Sequence, residues 1–131
     1  MAAAKAQGKP VLIDFTGFGC VNCRKMEAAV WTDPTVADML NNQYVLISLY
    51  VDDKTPLAEP VEVSLNGQQR TLRTVGDKWS YLQASKFGAN AQPYYIAIDN
   101  DGRPLNHAYG FKEDVAAYID YLQQGLNTYR R

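Results

Sequence analysis

Runs of apolar residues along the chain predict the strands of a β-sheet. Residues 11–15 and 94–99 are almost wholly apolar, a pattern typical of strands that helices cover on both faces. Residues 44–51 form a further β-rich run. Asp14 is the one charged residue inside the first run. The sequence therefore predicts a largely buried sheet with a single acid in its interior.

Apolar residues at helical spacing predict helices around these strands. A short helix over residues 2–7 is expected to end at Gly8. A second helix begins at Cys20, and the stripe on its inward face consists of Cys23, Met26, Glu27, Val30 and Trp31. The first cysteine is thus predicted to lie at a helix N-terminus.

Three more helices follow from capping residues and apolar spacing. Asp33 before Pro34 predicts a helix start, and Asn41 with its neighbour Asn42 predicts the end of that helix. Asp77 is expected to cap a fourth helix, which carries Trp79, Leu82 and Phe87 and ends at Gly88. The last helix has at helical spacing Val115, Tyr118, Ile119, Leu122 and Leu126.

Two turn signals complete the prediction. Residues 56–75 alternate between apolar and polar around Asn66-Gly67, which is the strongest short signal for a hairpin. This inserted hairpin is expected to cover a sheet edge, with a docking surface as the alternative. Asn100-Asp101-Gly102 predicts a second turn, into a partner strand over residues 105–109. The element order predicts one α/β domain over residues 1–131 with a mixed sheet.

Composition narrows the possible functions. The chain has 131 residues, which is the size of one domain, and a formal net charge of −1. There is no basic stripe to attract nucleic acid, and no apolar run approaches the ~20 residues that span a bilayer. The two cysteines are not needed as a scaffold, because a chain of this size can bury a sufficient core.

The motif Cys20-Val21-Asn22-Cys23 carries the predicted chemistry. At a helix N-terminus, unpaired N–H groups and the helix dipole favour a thiolate over a thiol. Cys20 is therefore predicted to be the nucleophile. Cys23 lies on the inward stripe and within reach of a disulfide, so it is predicted to be the resolving thiol.

Two other roles for the cysteines are less favoured. A zinc site usually takes four ligands, and beside two cysteines the chain offers one histidine, His107, which is remote in sequence. A purely structural disulfide would close too small a loop to remove much unfolded-state entropy. We therefore predict no metal and a redox-active pair.

Two acids are candidates for tuning this pair. Asp14 interrupts a buried strand, so its carboxyl group should be desolvated, its pKa raised, and its proton exchangeable near neutral pH. Glu27 lies four residues after Cys23, on the same helical face, and is a candidate for sharing this proton transfer. The alternatives are that Asp14 faces solvent at the strand end and that Glu27 is an ordinary surface acid.

Other polar residues receive no functional role. Asp52 and Asp53 are interpreted as a solvated strand end, and His107 as a surface or packed residue. Residues 99–102 lack the remaining positions of a calcium loop and are interpreted as a turn. Pro93 precedes a buried strand, where a cis bond is possible but the sequence does not specify one.

A family resemblance extends this interpretation. It is carried by the stretch KPVLIDFTGFGCVNCRKMEAAVWTDP, which resembles the C-terminal, thioredoxin-like domain of the thiol:disulfide interchange protein DsbD family. The likeness continues more loosely through AQPYYIAIDNDG to the last helix and covers most of the chain apart from the hairpin. It implies a thioredoxin-like fold, in which helices flank a central mixed β-sheet.

The resemblance also implies roles for individual residues. Cys20 and Cys23 match the redox pair, Asp14 and Glu27 match the two acids near it, and Pro93 matches the cis-proline that faces the dithiol.

Substrate contacts are expected around this pair, from Pro93, Gln92, Phe18 and Gly19. Gly19 stands where thioredoxins commonly carry tryptophan, and Gln92 precedes the proline, so these contacts are expected to differ from those of thioredoxin.

In the family that the chain resembles, this domain lies in the periplasm. It takes electrons from a membrane-embedded domain and passes them to another periplasmic thiol domain, in the reductive direction and with no dissociable cofactor. Because the sequence has no signal peptide or transmembrane helices of its own, we expect an excised domain of a larger membrane protein, or else a free-standing relative.

The sequence thus predicts a protein-disulfide reductase that acts by exchange. The Cys20 thiolate attacks a partner disulfide, and Cys23 then releases the reduced partner. The alternatives are an oxidase or isomerase, a stand-alone thioredoxin-like protein, and a non-catalytic module whose hairpin recruits a partner.

Overall fold

The structure, a computed structural model, describes residues 2–65 and 67–130. Helices and strands alternate along most of the chain, and their bounds differ from the predicted ones by a few residues. In chain order they are α1 (Ala2–Gln7), β1 (Val11–Thr16), α2 (Val21–Ala29), α3 (Pro34–Asp38), a π-helical segment (Met39–Gln43), β2 (Val45–Tyr50), β3 (Pro56–Leu65), β4 (Gln68–Thr74), α4 (Val75–Phe87), β5 (Tyr94–Ile98) and α5 (Val115–Tyr129).

The main sheet is mixed, as the sequence predicts, and β1 is its middle strand. β1 pairs with β2 in parallel, Val11 opposite Val45, and with β5 in the antiparallel sense, Val11 opposite Ile98. Side chains of β1 alternate between the two faces. Ile13 and Phe15 pack on the face covered by α1 and α4. The opposite face is covered by α2, α3 and α5.

The core on the α5 face is rich in aromatic side chains. Tyr95 and Tyr118 are fully buried and pack edge to face, with ring centroids 5.3 Å apart. The indole Nε1 of Trp31 donates a hydrogen bond to the Tyr118 hydroxyl. The Tyr44 hydroxyl donates to the carbonyl of Leu122, so the polar ends of these large rings are satisfied inside the core.

The inserted hairpin forms a sheet of its own. β3 and β4 pair in the antiparallel sense, with Leu65 opposite Gln68 across the turn. Leu72 of β4 is buried, and a cavity of about 550 Å³ lies between the hairpin and α4. In the part of the chain that the structure describes, the hairpin is thus associated with α4 and is not hydrogen-bonded to the main sheet.

The predicted partner strand over residues 105–109 is wrong. The chain touches β5 there through two isolated bridges, Tyr95 with Tyr109 and Ile98 with Pro104. From one bridge to the other β5 advances three residues and the facing segment five, so the pairing register shifts between them, and the Asn106 side chain donates to the carbonyl of Tyr121 on α5. A continuous ladder is therefore interrupted between the two bridges.

Two predicted helix boundaries are also wrong. The helix from Pro34 continues past Asn41 and Asn42, because Asn42 donates to the Asp38 carboxylate and the π-helical segment extends to Gln43. At α4 the N-cap is Thr74, not Asp77. Asp77 is the reciprocal partner in a capping box, and its carboxylate accepts from the N–H of Thr74.

Candidate functional site

Three connections meet at one end of the main sheet. Because β1 and β2 are parallel, the residues that follow them emerge side by side, and the N–H of Val51 donates to the carbonyl of Thr16 at 2.9 Å. β5 is antiparallel to β1, so Pro93, which precedes it, lies at the same end. The topology thus places the predicted site residues after β1 and before β5 at one end of the sheet, beside the connection that follows β2.

The two cysteines form a disulfide at this end, with their Cα atoms 5.3 Å apart. Cys20 is the N-cap of α2, and its sulfur accepts a hydrogen bond from the N–H of Cys23 at 3.2 Å. Cys23 faces the core and is 1% exposed, whereas Cys20 is partly exposed. The helix-start position and the inward direction of Cys23 are both as the sequence predicts.

Asp14 is buried on the α2 face of β1, with 2% of its surface exposed. Desolvation raises its pKa to about 7, and the negative charge of Glu27 adds to this; a hydrogen bond from Ser48 and the charge of Arg24 act in the opposite direction. The Ser48 hydroxyl donates to one carboxyl oxygen at 3.2 Å, and the other oxygen has no hydrogen-bond partner among the residues that the structure describes. The solvent-facing alternative for Asp14 is therefore wrong, and this carboxyl group can hold or release a proton near neutral pH.

Glu27 is half-buried one turn beyond Cys23. Its carboxylate forms an ion pair with Arg24 at 2.9 Å, and Arg24 also donates to the hydroxyl of Thr16. Both side chains of the pair are about one-third or more exposed, so the pair adds little stability. Glu27 acts on Asp14 through charge across this edge of the site.

The bond between Gln92 and Pro93 is cis. The loop that precedes this cis bond is hydrogen-bonded to Gln83, a residue of α4 that is 0% exposed. Gln83 donates to the carbonyl of Ala91 at 2.8 Å and accepts from the side-chain amide of Gln92 at 3.0 Å. The sequence analysis missed Gln83; its only signal was a polar residue next to apolar Leu82 on the predicted helix.

The exposed rim beside the disulfide is apolar. Phe18 is 62% exposed and stacks on Tyr50, with ring centroids 4.1 Å apart. Gly19 is also exposed, as is Val21 on the first turn of α2. Phe18 and Gly19 therefore lie where a partner's backbone could approach the Cys20 sulfur.

Asp52 is exposed just after β2, in keeping with its interpretation as a solvated strand end, but its side chain makes contacts that this interpretation did not include. Its carboxylate accepts from the N–H of Phe18 at 2.8 Å and from the N–H of Gly19 at 3.1 Å. These two hydrogen bonds hold its pKa below the usual range. A Cβ atom at Gly17 would lie 3.2 Å from this carboxylate, so glycines in the turn are the only sequence signal for the contact.

The remaining polar candidates lie outside this group. His107 is exposed and packs edge to face on Tyr121. Asp99 accepts from the N–H groups of Asp101 and Arg103, which is a turn, as predicted. In residues 2–65 and 67–130, no three His, Cys, Asp or Glu side chains are grouped so as to hold a metal ion, and no helix has both the length and the apolarity for crossing a bilayer.

Comparison with known proteins gives one family match. A family model described as a thioredoxin-like domain matches residues 1–125. Among curated proteins, the thiol:disulfide interchange protein DsbD of Vibrio vulnificus is 30% identical over 129 residues, which is 97% of this chain and 18% of that protein. The DsbD of Pseudoalteromonas atlantica is 31% identical over 105 residues, 70% of this chain and 17% of that protein. The chain thus spans less than a fifth of the length of these relatives.

Solved structures support the fold. A DsbH oxidoreductase aligns with a TM-score of 0.66 and 20% identity, over 96% of this chain and 78% of the other. The C-terminal domain of DsbD from Neisseria meningitidis, in its reduced form, aligns with a TM-score of 0.62 and 15% identity, over 95% and 88%. The thioredoxin-like fold that the sequence resemblance implies is confirmed.

Proposed function

This chain belongs to the thioredoxin-like domain family and carries a redox-type Cys20–Cys23 disulfide; from this premise we propose that it is a protein-disulfide reductase. It passes two electrons to a partner disulfide by dithiol exchange, and disulfide-based redox proteins of this family need no cofactor. We further propose that it corresponds to the C-terminal domain of DsbD, takes electrons from a membrane-embedded domain and works in the periplasm.

The single observation that supports this function is the asymmetry of the two sulfurs. Cys20 is the partly exposed N-cap of α2, and Cys23 is buried on the same side of the sheet as the protonatable Asp14. An exposed nucleophile, and a buried resolving thiol on the same face of the sheet as a proton acceptor, suit a two-step exchange.

The proposed reaction starts from the reduced pair. The Cys20 thiolate attacks one sulfur of a partner disulfide, and the other partner sulfur leaves as a thiolate. Cys23 then loses its proton to Asp14 and attacks the Cys20 sulfur, which releases the second partner thiolate. The partner gains two electrons and two protons overall, and Cys20 and Cys23 end as the disulfide.

Two features of the related proteins support the proposed context. The relatives that match at 30–31% identity are named as thiol:disulfide interchange proteins DsbD. Each is much longer than the matched segment, which leaves room for a separate donor domain. The reductive direction, the donor, the acceptor and the location are proposed on that basis.

Trapping of the mixed disulfide tests the mechanism. The Cys23→Ala variant should accumulate a covalent complex with a disulfide-containing protein substrate such as insulin, because the Cys20 attack proceeds and resolution does not. The complex should disappear on treatment with a reductant, and the matched control Cys20→Ala, which keeps the buried thiol, should give at least about tenfold less of it because Cys23 is inaccessible. Equal trapping through either cysteine would overturn the assignment of Cys20 as nucleophile.

The reduction potential tests the direction. Equilibration with glutathione buffers should give a value near that of thioredoxin, about −270 mV, rather than the roughly −120 to −180 mV of oxidases and isomerases. A value in the second range would replace the reductase proposal with an oxidase or isomerase.

A further inference from the structure

We propose that Asp52 is a positioning residue for the nucleophile: its carboxylate fixes the turn that presents Cys20 and restrains formation of the Cys20 thiolate. The proposal rests on the proposed function only in taking Cys20 as the attacking sulfur. It concerns a residue in the turn that follows β2, 32 positions along the chain from Cys20.

The contacts of Asp52 are made to the backbone immediately before the nucleophile. One carboxylate oxygen accepts from the N–H of Phe18 at 2.8 Å, and the other accepts from the N–H of Gly19 at 3.1 Å. The turn is closed by the N–H of Cys20, which donates to the carbonyl of Gly17 at 3.2 Å. Both carboxylate oxygens are therefore used to fix the two residues that lead into the N-cap of α2.

The backbone on both sides of Asp52 is itself hydrogen-bonded to neighbouring elements. The N–H of Val51 donates to the carbonyl of Thr16, which continues the β1–β2 ladder to the residue before Asp52. The N–H of Gly76 donates to the carbonyl of Asp53, at the residue after it. A Cβ atom at Gly76 would lie 2.4 Å from the carbonyl oxygen of Val51, so α4 lies directly against this segment. The carboxylate thus links the ends of β2 and α4 to the turn that precedes the redox motif.

The charge of Asp52 acts against the thiolate. A helix N-terminus stabilises an anion through its free N–H groups and dipole. Asp52 already occupies two N–H groups next to that position and places a negative charge close to Cys20. The other charged groups around the motif are Arg24, its partner Glu27 and the buried Asp14. Asp52 therefore offsets part of the stabilisation that α2 and Arg24 give to the Cys20 thiolate.

The neighbouring Asp53 provides an internal control. It has the same charge, one residue along the chain, but its side chain accepts only from the local N–H of Thr55 among the hydrogen bonds of the described residues. Replacing Asp53 removes the same formal charge without touching the turn before Cys20. A general surface-charge effect would therefore change both variants alike, and a positioning effect would change one.

The experiment compares Asp52→Asn, Asp52→Ala and Asp53→Asn, each in the reduced Cys23→Ala background, which leaves Cys20 as the only thiol. The first measurement is the pH dependence of Cys20 alkylation by iodoacetamide. Both Asp52 variants should lower the apparent pKa of Cys20 by on the order of a few tenths of a pH unit. The shift should shrink at high salt, since an exposed charge is screened.

The second measurement is amide hydrogen exchange at Phe18 and Gly19. Loss of a charge-assisted hydrogen bond should speed exchange about tenfold in Asp52→Ala. Asp52→Asn, which keeps one acceptor oxygen, should recover part of this protection. Asp53→Asn should leave both measurements close to those of the background protein.

The outcomes separate this proposal from the proposed function. Unchanged alkylation curves together with unchanged amide exchange would overturn the role of Asp52, as would equal effects from Asp53→Asn. Both measurements need no partner protein, so they remain informative if the wild-type chain fails to reduce protein disulfides. That failure would reject the reductase proposal and leave the positioning role standing.

Discussion

Asp14 lies within the main sheet and Asp52 just beyond its edge, after β2, and the two acids have opposite properties. Asp14 is inside β1, and burial raises its pKa to about 7. Asp52 follows β2, and hydrogen bonds from two backbone N–H groups hold its pKa below the usual range. The residue type is the same, so the difference comes from the surroundings: desolvation favours the neutral acid, and N–H donors favour the carboxylate.

The two acids divide the site into a buried side and an exposed rim. On the buried side, Cys23 and Asp14 are shielded from water, which suits proton transfer in the second step of exchange. On the rim, Cys20 and Phe18 are accessible and Asp52 fixes the backbone between them. A single dithiol can thus face a partner with one sulfur and a proton acceptor with the other.

The largest predicted effect is on the buried side. In the folded protein Asp14 has a pKa of about 7, against an ordinary value of 3.8, so it binds its proton more tightly when folded. The contribution of this tighter proton binding to the free energy of unfolding is fully present below pH 3.8 and is lost as the pH rises to about 7. Above that, the penalty reaches about 4 kcal/mol, since each pKa unit corresponds to about 1.4 kcal/mol.

The Asp14→Asn variant tests this value. In the oxidised form, its free energy of unfolding should match that of the wild type near pH 4 and exceed it by a few kcal/mol, up to about 4, at pH 8. Denaturant titrations across this range provide the measurement. Asp101→Asn, at an exposed position, is the control for charge removal and should not diverge from the wild type in this way. Parallel stability curves for Asp14→Asn and the wild type would mean that Asp14 is solvated.

The second largest predicted effect acts on the exposed rim through α4, which packs against the segment that carries Asp52. Gly76→Ala would place a methyl group 2.4 Å from the carbonyl oxygen of Val51. Because this oxygen belongs to the backbone, it cannot move away by a change of rotamer as a side-chain atom can. The free energy of unfolding should fall by about 1–3 kcal/mol, and the amide resonances of Phe18 and Gly19 should shift because the segment that carries Asp52 moves.

Gly110→Ala is the matched control for this prediction. Gly110 is exposed and has no atom within 4 Å of an added Cβ. Its unfolding free energy should stay within about 0.5 kcal/mol of the wild type. If Gly76→Ala behaved in the same way, α4 would not support the Asp52 segment.

Sequence reasoning was most successful where the signal was local. A few adjacent residues were enough to predict that Cys20 caps a helix, that Cys23 faces inward and that Asp14 lies in a buried strand. The structure has all three residues in these positions. Asp52 was missed because its partners, Phe18 and Gly19, are more than 30 residues away and contribute only backbone N–H groups, which no side-chain pattern reveals.

The errors in the fold have the same origin. The predicted strand over residues 105–109 followed a correct turn signal, but the pairing with β5 changes register between the two bridges, where Asn106 contacts α5. Gln83 was given no role from the sequence, yet it is buried in α4, and both ends of its amide hydrogen-bond to the loop before Pro93. In each case, tertiary contacts decided the outcome over local preference.

The smallest predicted effect lies between the two regions. Glu27→Gln breaks an ion pair with Arg24 whose members are 34% and 42% exposed, so it should cost at most about 0.5 kcal/mol of stability. The substitution also removes the negative charge of Glu27, which raises the pKa of Asp14. In addition it frees Arg24 from its ion pair, and the positive charge of Arg24 lowers the pKa of Asp14. The pKa of Asp14, followed by NMR of its carboxyl carbon, should therefore fall by on the order of a few tenths of a unit.

Glu62→Gln on the hairpin is the control for this prediction and should leave the pKa of Asp14 unchanged. A fall of a full unit or more for Glu27→Gln would show that Glu27 shares the proton of Asp14 directly, and the buried side of the site would then extend to the surface of α2.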